Sequence, residues 1–405
     1  MKRIVFLNKY FYPDHSATSQ ILSDLAFDLA AGGRRVHVIA GRQRYDDPQA
    51  RLPEREEIRG VTVRRIATTG FGRATLLGRG VDYLAFYRGA WRAVLDDCEP
   101  GDILVAKTDP PLLCVPALRA ARRRRLQLVN WLQDLYPEIA VALGVPLVRG
   151  PVASALYRLR DAALREAAAN VAIGERMAEL LRRRGAPPDR IHVIANFSDD
   201  EDIRPLARGD NGLRHDWGLA DRFVVGYSGN LGRGHEFDTV VGAAERLRDR
   251  PETLFLMIGG GSGFAALRRR VAERGLDAMF RFLPYQDRAA LKYSLAVPDL
   301  HWLSLRPELE GAIVPGKFYG IAAAGRPIVA ITASDGELAR LVRRHGAGIV
   351  VSPGDGEGLA AHLRRLVAAP AELAAMGERA RRMLDAAFTR RHAFARWHEL
   401  FSRLD

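Results

Sequence analysis

The sequence has little cysteine and no long apolar run. Its 405 residues include two cysteines, Cys98 and Cys114, which excludes a disulfide framework, and neither has a second Cys or a His at metal-site spacing. No apolar run approaches the ~18 residues that span a bilayer. Residues 1–10 predict a first strand rather than a signal peptide. We therefore expect a protein of the reducing cytoplasm.

Lysine is also scarce, because only five of the 61 Lys and Arg residues are lysines. This bias towards arginine explains part of the net charge of +13. Residues 1–190 hold 31 basic and 21 acidic residues, a net +10, and the remainder holds 30 and 27, a net +3. A basic first half suits an anionic lipid or phosphate partner. A merely solvated arginine-rich surface would have the same composition.

Short β-branched runs alternate with amphipathic stretches, which is typical of an α/β fold with parallel sheets. The chain is long enough for two such domains. A strand-poor stretch at about 198–221 separates two series of strands. The first series is predicted at 4–7, 35–39, 61–66, 102–106, 126–131, 170–173 and 191–194. The second is predicted at 223–228, 254–258, 280–283, 300–303, 328–331 and 348–351.

These two series predict two Rossmann-like, doubly wound domains that face a cleft with the carboxyl ends of their strands. We assign residues 1–197 to the first domain and 198–385 to the second. Residues 386–405 carry apolar side chains at 394, 397, 400 and 401. They predict a final helix that packs back towards the first domain.

A glycine-rich loop follows the first strand of the second domain and contains Gly229, Asn230 and Arg233. Glycines let backbone amides approach a phosphate, and a helix is expected directly after the loop. The spacing does not fit a nicotinamide-binding fingerprint. A second glycine turn, 259–263, follows the next strand and is expected to line the same cleft.

The most informative segment is Glu310-Gly311-Ala-Ile-Val-Pro315-Gly316-Lys317. Pro315 suits the first position of a helix, which puts Gly316 and Lys317 in the first turn. A cation there opposes the helix dipole unless an anion binds beside it. Lys317 is therefore predicted to contact a phosphate, the alternative being a surface lysine without a ligand. Glu310, beside the same phosphate, is predicted to bind sugar hydroxyls.

Glu337 follows the next strand of the same sheet. Ser334 or Asp335 suits the cap of the helix that Glu337 begins, so capping alone explains this sequence. Because Glu337 borders the same cleft, it is also a candidate ligand.

Two loops of the first domain carry titratable residues after predicted strands. Asp14 and His15 follow the first strand, where Thr18 or Ser19 is predicted to cap a helix. Asp134 and Glu138 follow the strand at 126–131. These residues are candidates for acid–base catalysis or for contacts with a second substrate, the acceptor. Thr18 and Glu138 are the candidates for contacts with that acceptor. A solvated loop is the alternative for each.

Residues 77–95 place apolar and aromatic side chains on one helical stripe, with arginines nearby. A core helix is the default interpretation. The alternative is an interfacial membrane helix, to which the basic cluster at 119–125 would add contacts with lipid headgroups.

Together these segments resemble the family 4 glycosyltransferases, in particular bacterial ones of the colanic-acid and O-antigen type. The resemblance covers essentially the whole chain. It rests on five segments in order, at 11–20, 131–138, 225–233, 310–327 and 335–340. Individually, only the Glu310 segment is specific.

The resemblance implies a GT-B fold and a nucleotide-sugar donor, most often a UDP-sugar, bound mainly by the second domain. It implies transfer with retention of configuration and no required metal or other cofactor. Arg233 and Lys317 best match the diphosphate-binding pair of the family. The donor phosphate is thought to take the acceptor proton, so Asp14, His15 and Asp134 are candidate catalytic residues rather than required ones.

Two positions depart from the family pattern. Many relatives carry a second glutamate that holds the ribose, whereas the matching position here is Phe318 or Gly320, and Glu337 is the first candidate to replace it. Relatives also often have serine at the position of Gly316. We therefore expect a weaker donor contact at that point.

The sequence thus predicts an enzyme on the inner face of the cytoplasmic membrane. It would move a sugar, for example an N-acetylaminosugar, from a nucleotide donor to a lipid-linked saccharide. A UDP-sugar 2-epimerase with the same fold is one alternative. A non-enzymatic basic protein that binds nucleic acid or a protein partner is another, although it leaves the glycine loops and Lys317 without a role.

Overall fold

The structure is a computed structural model that describes residues 1–47, 49–69 and 76–405, without the side chains of residues 76 and 77. The described chain divides into two compact units. Unit 1 comprises Met1–Ala195 and Phe394–Asp405, and unit 2 comprises Asn196–Ala393. The division lies slightly before the expected boundary at 197/198. The segment that returns to unit 1 starts later than the expected residue 386.

Unit 1 is built on one sheet of eight strands. These are β1 (Ile4–Leu7), β2 (Val36–Gly41), β3 (Arg55–Ile58), β4 (Val61–Ile66), β5 (Ile103–Ala106), β6 (Gln127–Leu132), β7 (Ala169–Ala172) and β8 (Ile191–Val193). Their order is β3-β4-β2-β1-β5-β6-β7-β8. Every neighbouring pair is parallel except β3 and β4. The sheet is therefore doubly wound, as expected.

Helices flank this sheet. They are α1 (Ala17–Ala31), α2 (Leu76–Asp97), α3 (Cys114–Arg124), α4 (Glu138–Ala142), α5 (Gly150–Glu166) and α6 (Glu175–Arg183). Because helices cover both faces, the central strands have no solvent face. The runs Ile4–Leu7 and Ile103–Ala106 are buried along their whole length, which is typical of parallel strands.

Unit 2 repeats this plan with six parallel strands. These are β9 (Phe223–Asn230), β10 (Thr253–Gly260), β11 (Phe280–Leu283), β12 (Leu300–Ser304), β13 (Ile328–Ile331) and β14 (Gly348–Val351). Their order is β11-β10-β9-β12-β13-β14, the strand order of a dinucleotide-binding fold. The remaining helices are α7 (Gly212–Asp216), α8 (Asp238–Arg246), α9 (Ser262–Glu273), α10 (Leu291–Ala296), α11 (Lys317–Ala323), α12 (Glu337–His345), α13 (Gly356–Val367), α14 (Pro370–Ala387) and α15 (Arg390–Leu404).

The last helix, α15, begins in unit 2 and belongs to unit 1 from Phe394 onwards. Trp397 is buried against Trp131 of β6, with 4.6 Å between ring centroids. The carboxylate of Asp405 pairs with the buried guanidinium of Arg34. The predicted apolar positions of this segment are thus its buried face in unit 1.

The sequence missed the β3 strand, whose residues Arg-Glu-Glu-Ile show no apolar pattern. β3 lies at the sheet edge as one arm of an antiparallel hairpin with β4. An edge strand needs few buried side chains, and its charges discourage pairing with other chains. Hydropathy therefore could not reveal it.

Helix α2 does not bury the stripe that the sequence predicts. Phe86, Ala90 and Val94 face the core, whereas Val81 and Leu84 of the predicted stripe are 45% and 67% exposed. The default interpretation of this stripe as a core face is therefore wrong in the first half of the helix. The side chain of residue 77 lies outside the described residues. Among the described residues, no helix combines the length and hydropathy that would let it cross a bilayer.

Candidate active site

Each unit has one position where its strand order reverses, and several of the candidate residues lie beside these two positions. In unit 1 the reversal lies between β1 and β5, and in unit 2 between β9 and β12. Loops at the carboxyl ends of such strands diverge and leave a crevice in which ligands bind.

In unit 2 the loop after β9 is held on both sides. On one side, Leu231 N–H donates to the carbonyl of Gly260 over 2.7 Å, and the Leu231 carbonyl accepts from Gly263 N–H over 2.8 Å. On the other side, Arg306 N–H donates to the carbonyl of Gly234 over 3.0 Å. The loop is thus fixed between the ends of β10 and β12.

Close packing explains the second glycine turn. A Cβ at Gly259 would lie 2.2 Å from the carbonyl oxygen of Gly229, and one at Gly261 would lie 2.1 Å from Oδ1 of Asn230. Both glycines also have positive φ, at 129° and 112°, where a side chain is strained. The turn at 259–263 therefore supports the first glycine loop.

Lys317 lies across that first loop. Its ammonium donates to the carbonyl oxygen of Asn230 over 2.9 Å and lies 3.2 Å from Nε2 of His235. It also lies 5.2 Å from the ring centroid of Tyr227, within the range of a cation–π contact. Burial lowers the pKa of Lys317 to about 8. The lysine is thus held at the edge of the crevice, still mostly charged at neutral pH.

The close approach of Lys317 explains why residue 229 is glycine. A Cβ at Gly229 would lie 2.6 Å from Cε of Lys317, and the φ of Gly229 is 125°. Asn230 and Arg233, also predicted in this loop, are exposed. The structure thus brings Gly229, Asn230 and Lys317 together, and their roles towards a ligand stay predictions.

The helix that follows is shorter than expected. α11 begins at Lys317 with Gly316 as its N-cap, so Pro315 lies before the helix rather than at its first position. The Pro315 carbonyl accepts from Phe318 N–H over 3.2 Å. Gly311 has a φ of 77° and begins the turn that follows Glu310. Lys317 nevertheless lies in the first turn, as the sequence indicated.

Glu310 points towards the start of α12. One carboxylate oxygen accepts from the hydroxyl of Thr332, and the other accepts from the backbone N–H of Glu337 over 3.2 Å. A Cβ at Gly336 would overlap this carboxylate, at 2.1 Å from Oε1. Glu310 therefore caps the amino end of a neighbouring helix, and its contact with sugar hydroxyls stays a prediction.

The predicted caps of α12 were wrong, because Gly336 is the N-cap rather than Ser334 or Asp335. Glu337 lies in the first turn as expected, and its residue is 7% exposed. A role for Glu337 as a ribose ligand stays a prediction.

In unit 1 the crevice is a pocket of about 310 Å³. It combines four tyrosines with charged side chains from the ends of β1, β5 and β6. Flat aromatic rings beside charged and polar groups are typical of a saccharide site. The lining residues are Lys9, Tyr10, Thr18, Tyr45, Arg79, Asp82, Tyr83, Thr108, Asp109, Pro111, Asp134 and Tyr136.

Beneath this pocket lies the buried Lys107. Its ammonium donates to the Thr18 carbonyl over 2.7 Å and lies 4.0 Å from the ring centroid of Trp131. Burial lowers the pKa of Lys107 to about 7, against the opposing charges of Asp109 and Asp134. Burial raises the pKa of Asp134 to about 6, helped by Asp109 and opposed by Lys107. Asp134 therefore faces the pocket with a pKa near neutrality.

The other predicted residues of unit 1 are placed differently. Asp14 is buried, and its carboxylate accepts from the backbone N–H groups of Ser16 and Tyr45, so it fixes the loop. His15 is exposed and does not line the pocket. Helix α1 begins at Ala17, so the predicted caps Thr18 and Ser19 lie in its first turn. Thr18 lines the pocket.

Glu138 is held in ion pairs. Its carboxylate accepts from Arg160 over 2.6 Å and from Arg184 over 3.0 Å, and the Arg160 side chain is 1% exposed. The pair with Arg160 ties the loop after β6 to helix α5, which carries Arg160. Glu138 does not line the pocket. Its carboxylate holds the loop in place, whereas the sequence predicted a contact with the acceptor substrate.

Sequence reasoning missed Lys9, Lys107 and His235. A signal for the two lysines was present, because they are two of five lysines in an arginine-rich chain. The scarcity that singled out Lys317 therefore applied to them as well. For His235, no sequence signal pointed to a neighbour 82 positions away. Across the described residues, no group of three or more His, Cys, Asp or Glu side chains is placed to hold a metal ion.

Comparisons with protein families account for most of the sequence. Residues 17–196 match the family described as "Glycosyl transferase 4-like domain". Residues 213–383 match the family described as "Glycosyl transferases group 1". The two matches correspond in order to unit 1 and unit 2.

Individual relatives agree with this assignment. The chain is 29% identical over 284 residues to the Escherichia coli (strain K12) protein WcaI, named as a glycosyl transferase of colanic acid biosynthesis, covering 68% of this chain and 69% of WcaI. It is 34% identical over 215 residues to a D-inositol 3-phosphate glycosyltransferase of Rhodococcus opacus (strain B4), covering 50% and 46% of the two chains.

Solved structures show the same fold at low sequence identity. Anabaena HepE in complex with UDP aligns with a TM-score of 0.73 at 18% identity, covering 99% of this chain and all of that one. Sucrose-phosphate synthase from Thermosynechococcus elongatus aligns with a TM-score of 0.80 at 17% identity, covering 100% and 99%.

Proposed function

On the premise that this chain belongs to the family 4 glycosyltransferases and has the GT-B fold, we propose that it transfers a sugar from a UDP-sugar to a lipid-linked saccharide. The linkage would form with retention of configuration during synthesis of a cell-surface polysaccharide. The non-enzymatic alternative does not fit the family.

The position of Lys317 is the observation that best supports a nucleotide-sugar donor. A mostly charged ammonium is fixed beside the glycine loop after β9. An amine held in partly buried surroundings attracts a phosphate more strongly than one in bulk water. Anabaena HepE, whose structure contains UDP, has the same fold.

Lys317 would stabilise the diphosphate as it leaves, a task that a divalent metal performs in other transferases. We therefore propose that the reaction needs no metal. In the retaining reaction the donor phosphate would accept the proton of the attacking hydroxyl. Asp134 would then orient that hydroxyl rather than act as an obligatory base. Unchanged activity in EDTA would support metal independence, and loss of activity that Mg²⁺ restores would refute it.

The unit 1 pocket supports a saccharide acceptor. Its tyrosines offer flat faces for sugar rings, and its carboxylates offer acceptors for sugar hydroxyls. A volume of about 310 Å³ is enough for one or two sugar rings.

Exposed apolar side chains of unit 1 support a lipid-linked acceptor. Val81 and Leu84 lie in the first half of α2, and Asp82 between them lines the pocket. Leu147, just before α5, and Val152, in its first turns, are 63% and 52% exposed. Apolar groups on a basic unit suit contact with an anionic bilayer. We therefore propose that these exposed apolar residues contact the membrane.

We expect the basic cluster at 119–125 to contribute less to membrane contact. Arg122 pairs with Glu166, and Arg124 donates to the carbonyl of Cys98, so both are used within unit 1. The exposed helix residues are the better candidates for lipid contact.

The test is transfer by the purified protein from UDP- and GDP-sugars, with and without a bacterial lipid extract, with the new linkage assigned by NMR. We expect an α-linked product from a UDP-α-sugar that depends on the lipid extract. Absence of binding to every nucleotide sugar would refute the proposal. Formation of an epimer or free UDP without an acceptor would support the 2-epimerase instead.

A further inference from the structure

His235 lies beside Lys317 in unit 2. Its Nε2 atom is 3.2 Å from the lysine ammonium. Its Nδ1 atom is 2.7 Å from the carbonyl oxygen of Ser304, at the end of β12. The imidazole therefore bridges the end of β12 and the first residue of α11.

These two contacts determine the tautomer of His235. A carbonyl oxygen only accepts hydrogen bonds, so Nδ1 must carry the ring hydrogen. The lone pair is then on Nε2, where it accepts from the Lys317 ammonium. The ring thus acts as an acceptor that faces the lysine.

The surroundings hold the ring in this orientation. Ser304 is fully buried, and its hydroxyl accepts from Glu236 N–H over 3.0 Å. The ring also packs edge-on against Tyr227, with 6.0 Å between centroids. The imidazole therefore has little freedom to turn away from the lysine.

We propose that His235 is a positioning residue, which holds the Lys317 ammonium in the place where it meets the donor diphosphate. This inference rests on the proposed function for the identity of the ligand. The contact between the two side chains is independent of it. A free lysine side chain samples many rotamers, and ordering it on binding costs about 2 kcal/mol. His235 reduces that cost before the ligand arrives.

The contact also bears on the charge of Lys317. An acceptor that bonds the ammonium favours the charged form, whereas burial disfavours it. Burial, together with the charge of Lys317, lowers the pKa of His235 to about 4, so the ring stays neutral and keeps its lone pair. Removal of the acceptor should lower the pKa of Lys317 further.

Other titratable groups near this pair do not replace the acceptor. The Tyr227 phenol, whose pKa is raised by burial, donates to the Asn230 carbonyl. The Glu236 carboxylate turns to Thr239. Arg306 pairs with Glu308.

Two substitutions separate the acceptor from the bulk of the ring. His235→Phe keeps an aromatic ring against Tyr227 and removes the lone pair. His235→Gln restores an acceptor oxygen near the position of Nε2. If phenylalanine is not tolerated, His235→Asn keeps a donor for Ser304 and lacks the reach to Lys317.

The first measurement needs no donor. With five lysines in the chain, protein labelled with ¹³C at lysine Cε gives few signals, and Lys317 is assigned by its loss in Lys317→Arg. We expect Lys317 to titrate near pH 8 in the wild type and in His235→Gln, and about one unit lower in His235→Phe. An unchanged titration in both His235→Phe and His235→Asn would overturn the proposal.

The second measurement is calorimetry with UDP at pH 8. We expect affinity about tenfold weaker in His235→Phe, the size of one hydrogen bond to a charged group, and within about threefold of wild type in His235→Gln. Equal weakening in both variants would contradict an acceptor role. If the wild type does not bind UDP, the proposed function fails, while the titration still decides the contact.

Discussion

Replacement of Lys317 by methionine tests the proposed donor site most directly. Methionine is nearly as long as lysine and keeps the apolar stem over the Tyr227 ring, but it carries no charge. The structure predicts two opposite effects of this change. The affinity for UDP should fall, and the stability of unit 2 should rise.

The loss of affinity follows from the lost charge. A hydrogen bond from an ammonium to a phosphate is worth about 1.5 to 3 kcal/mol, which corresponds to a Kd roughly 10- to 150-fold higher. The matched variant Lys317→Arg keeps a charge, with a different shape. It should lose less affinity than methionine.

The gain in stability follows from the lowered pKa. The pKa of Lys317 is about 8 in the fold and 10.5 ordinarily, and at about 1.4 kcal/mol per pKa unit the charged form costs roughly 3 kcal/mol of stability. This penalty is complete below pH 8, falls as the pH rises from 8 to 10.5, and is absent above 10.5. Methionine removes it at neutral pH but leaves Nε2 of His235 without a partner, which costs about 1 to 2 kcal/mol.

The net expectation is a gain of about 1 to 2 kcal/mol, which raises the Tm of a unit of this size by a few degrees. Calorimetric titration with UDP and thermal unfolding followed by circular dichroism measure the two effects at pH 7. A Lys317→Met protein that binds UDP like the wild type would remove this residue from the donor site. A protein that binds weakly because it is less stable would refute the burial argument.

Three further predictions concern single positions. Gly229→Ala should weaken UDP binding about tenfold, because its Cβ would displace Lys317. The control is Gly232→Ala, which should bind UDP normally, since the nearest atom is 3.5 Å from an added Cβ. Gly316→Ser should bind UDP up to several-fold more tightly, since an added Cβ meets nothing within 4 Å and the hydroxyl suits a helix N-cap. Weaker binding in calorimetry would count against a phosphate near this residue. Asp134→Asn should slow transfer about tenfold or more without changing the Kd for UDP. In the wild type the transfer rate should fall as the pH drops through about 6, where Asp134 becomes protonated. A transfer rate that stays constant between pH 5 and 7 would refute this role.

The sequence predicted all thirteen strands that pair in parallel, to within a few residues. Parallel strands such as β12, β13 and β14 are buried on both faces and form continuous apolar runs, which is why hydropathy finds them. These are the strands that hydropathy can detect. β3 was missed because an edge strand has no such run. The exposed start of α2 was missed because the stripe was apolar, and an apolar stripe does not say whether the core or another surface covers it.

By itself, the sequence determined the α/β class and the order of the two units, and it singled out Lys317 as a candidate phosphate ligand. Local signals carry these conclusions, since hydrophobic runs, glycine turns and a rare residue type are visible along the chain. Only the tertiary structure decided what each candidate side chain contacts. It placed His235 beside Lys317, turned Glu310 towards the start of α12 and paired Glu138 with Arg160. Such contacts join residues far apart in sequence, and they depend on how strands order themselves in a sheet, which no single segment encodes.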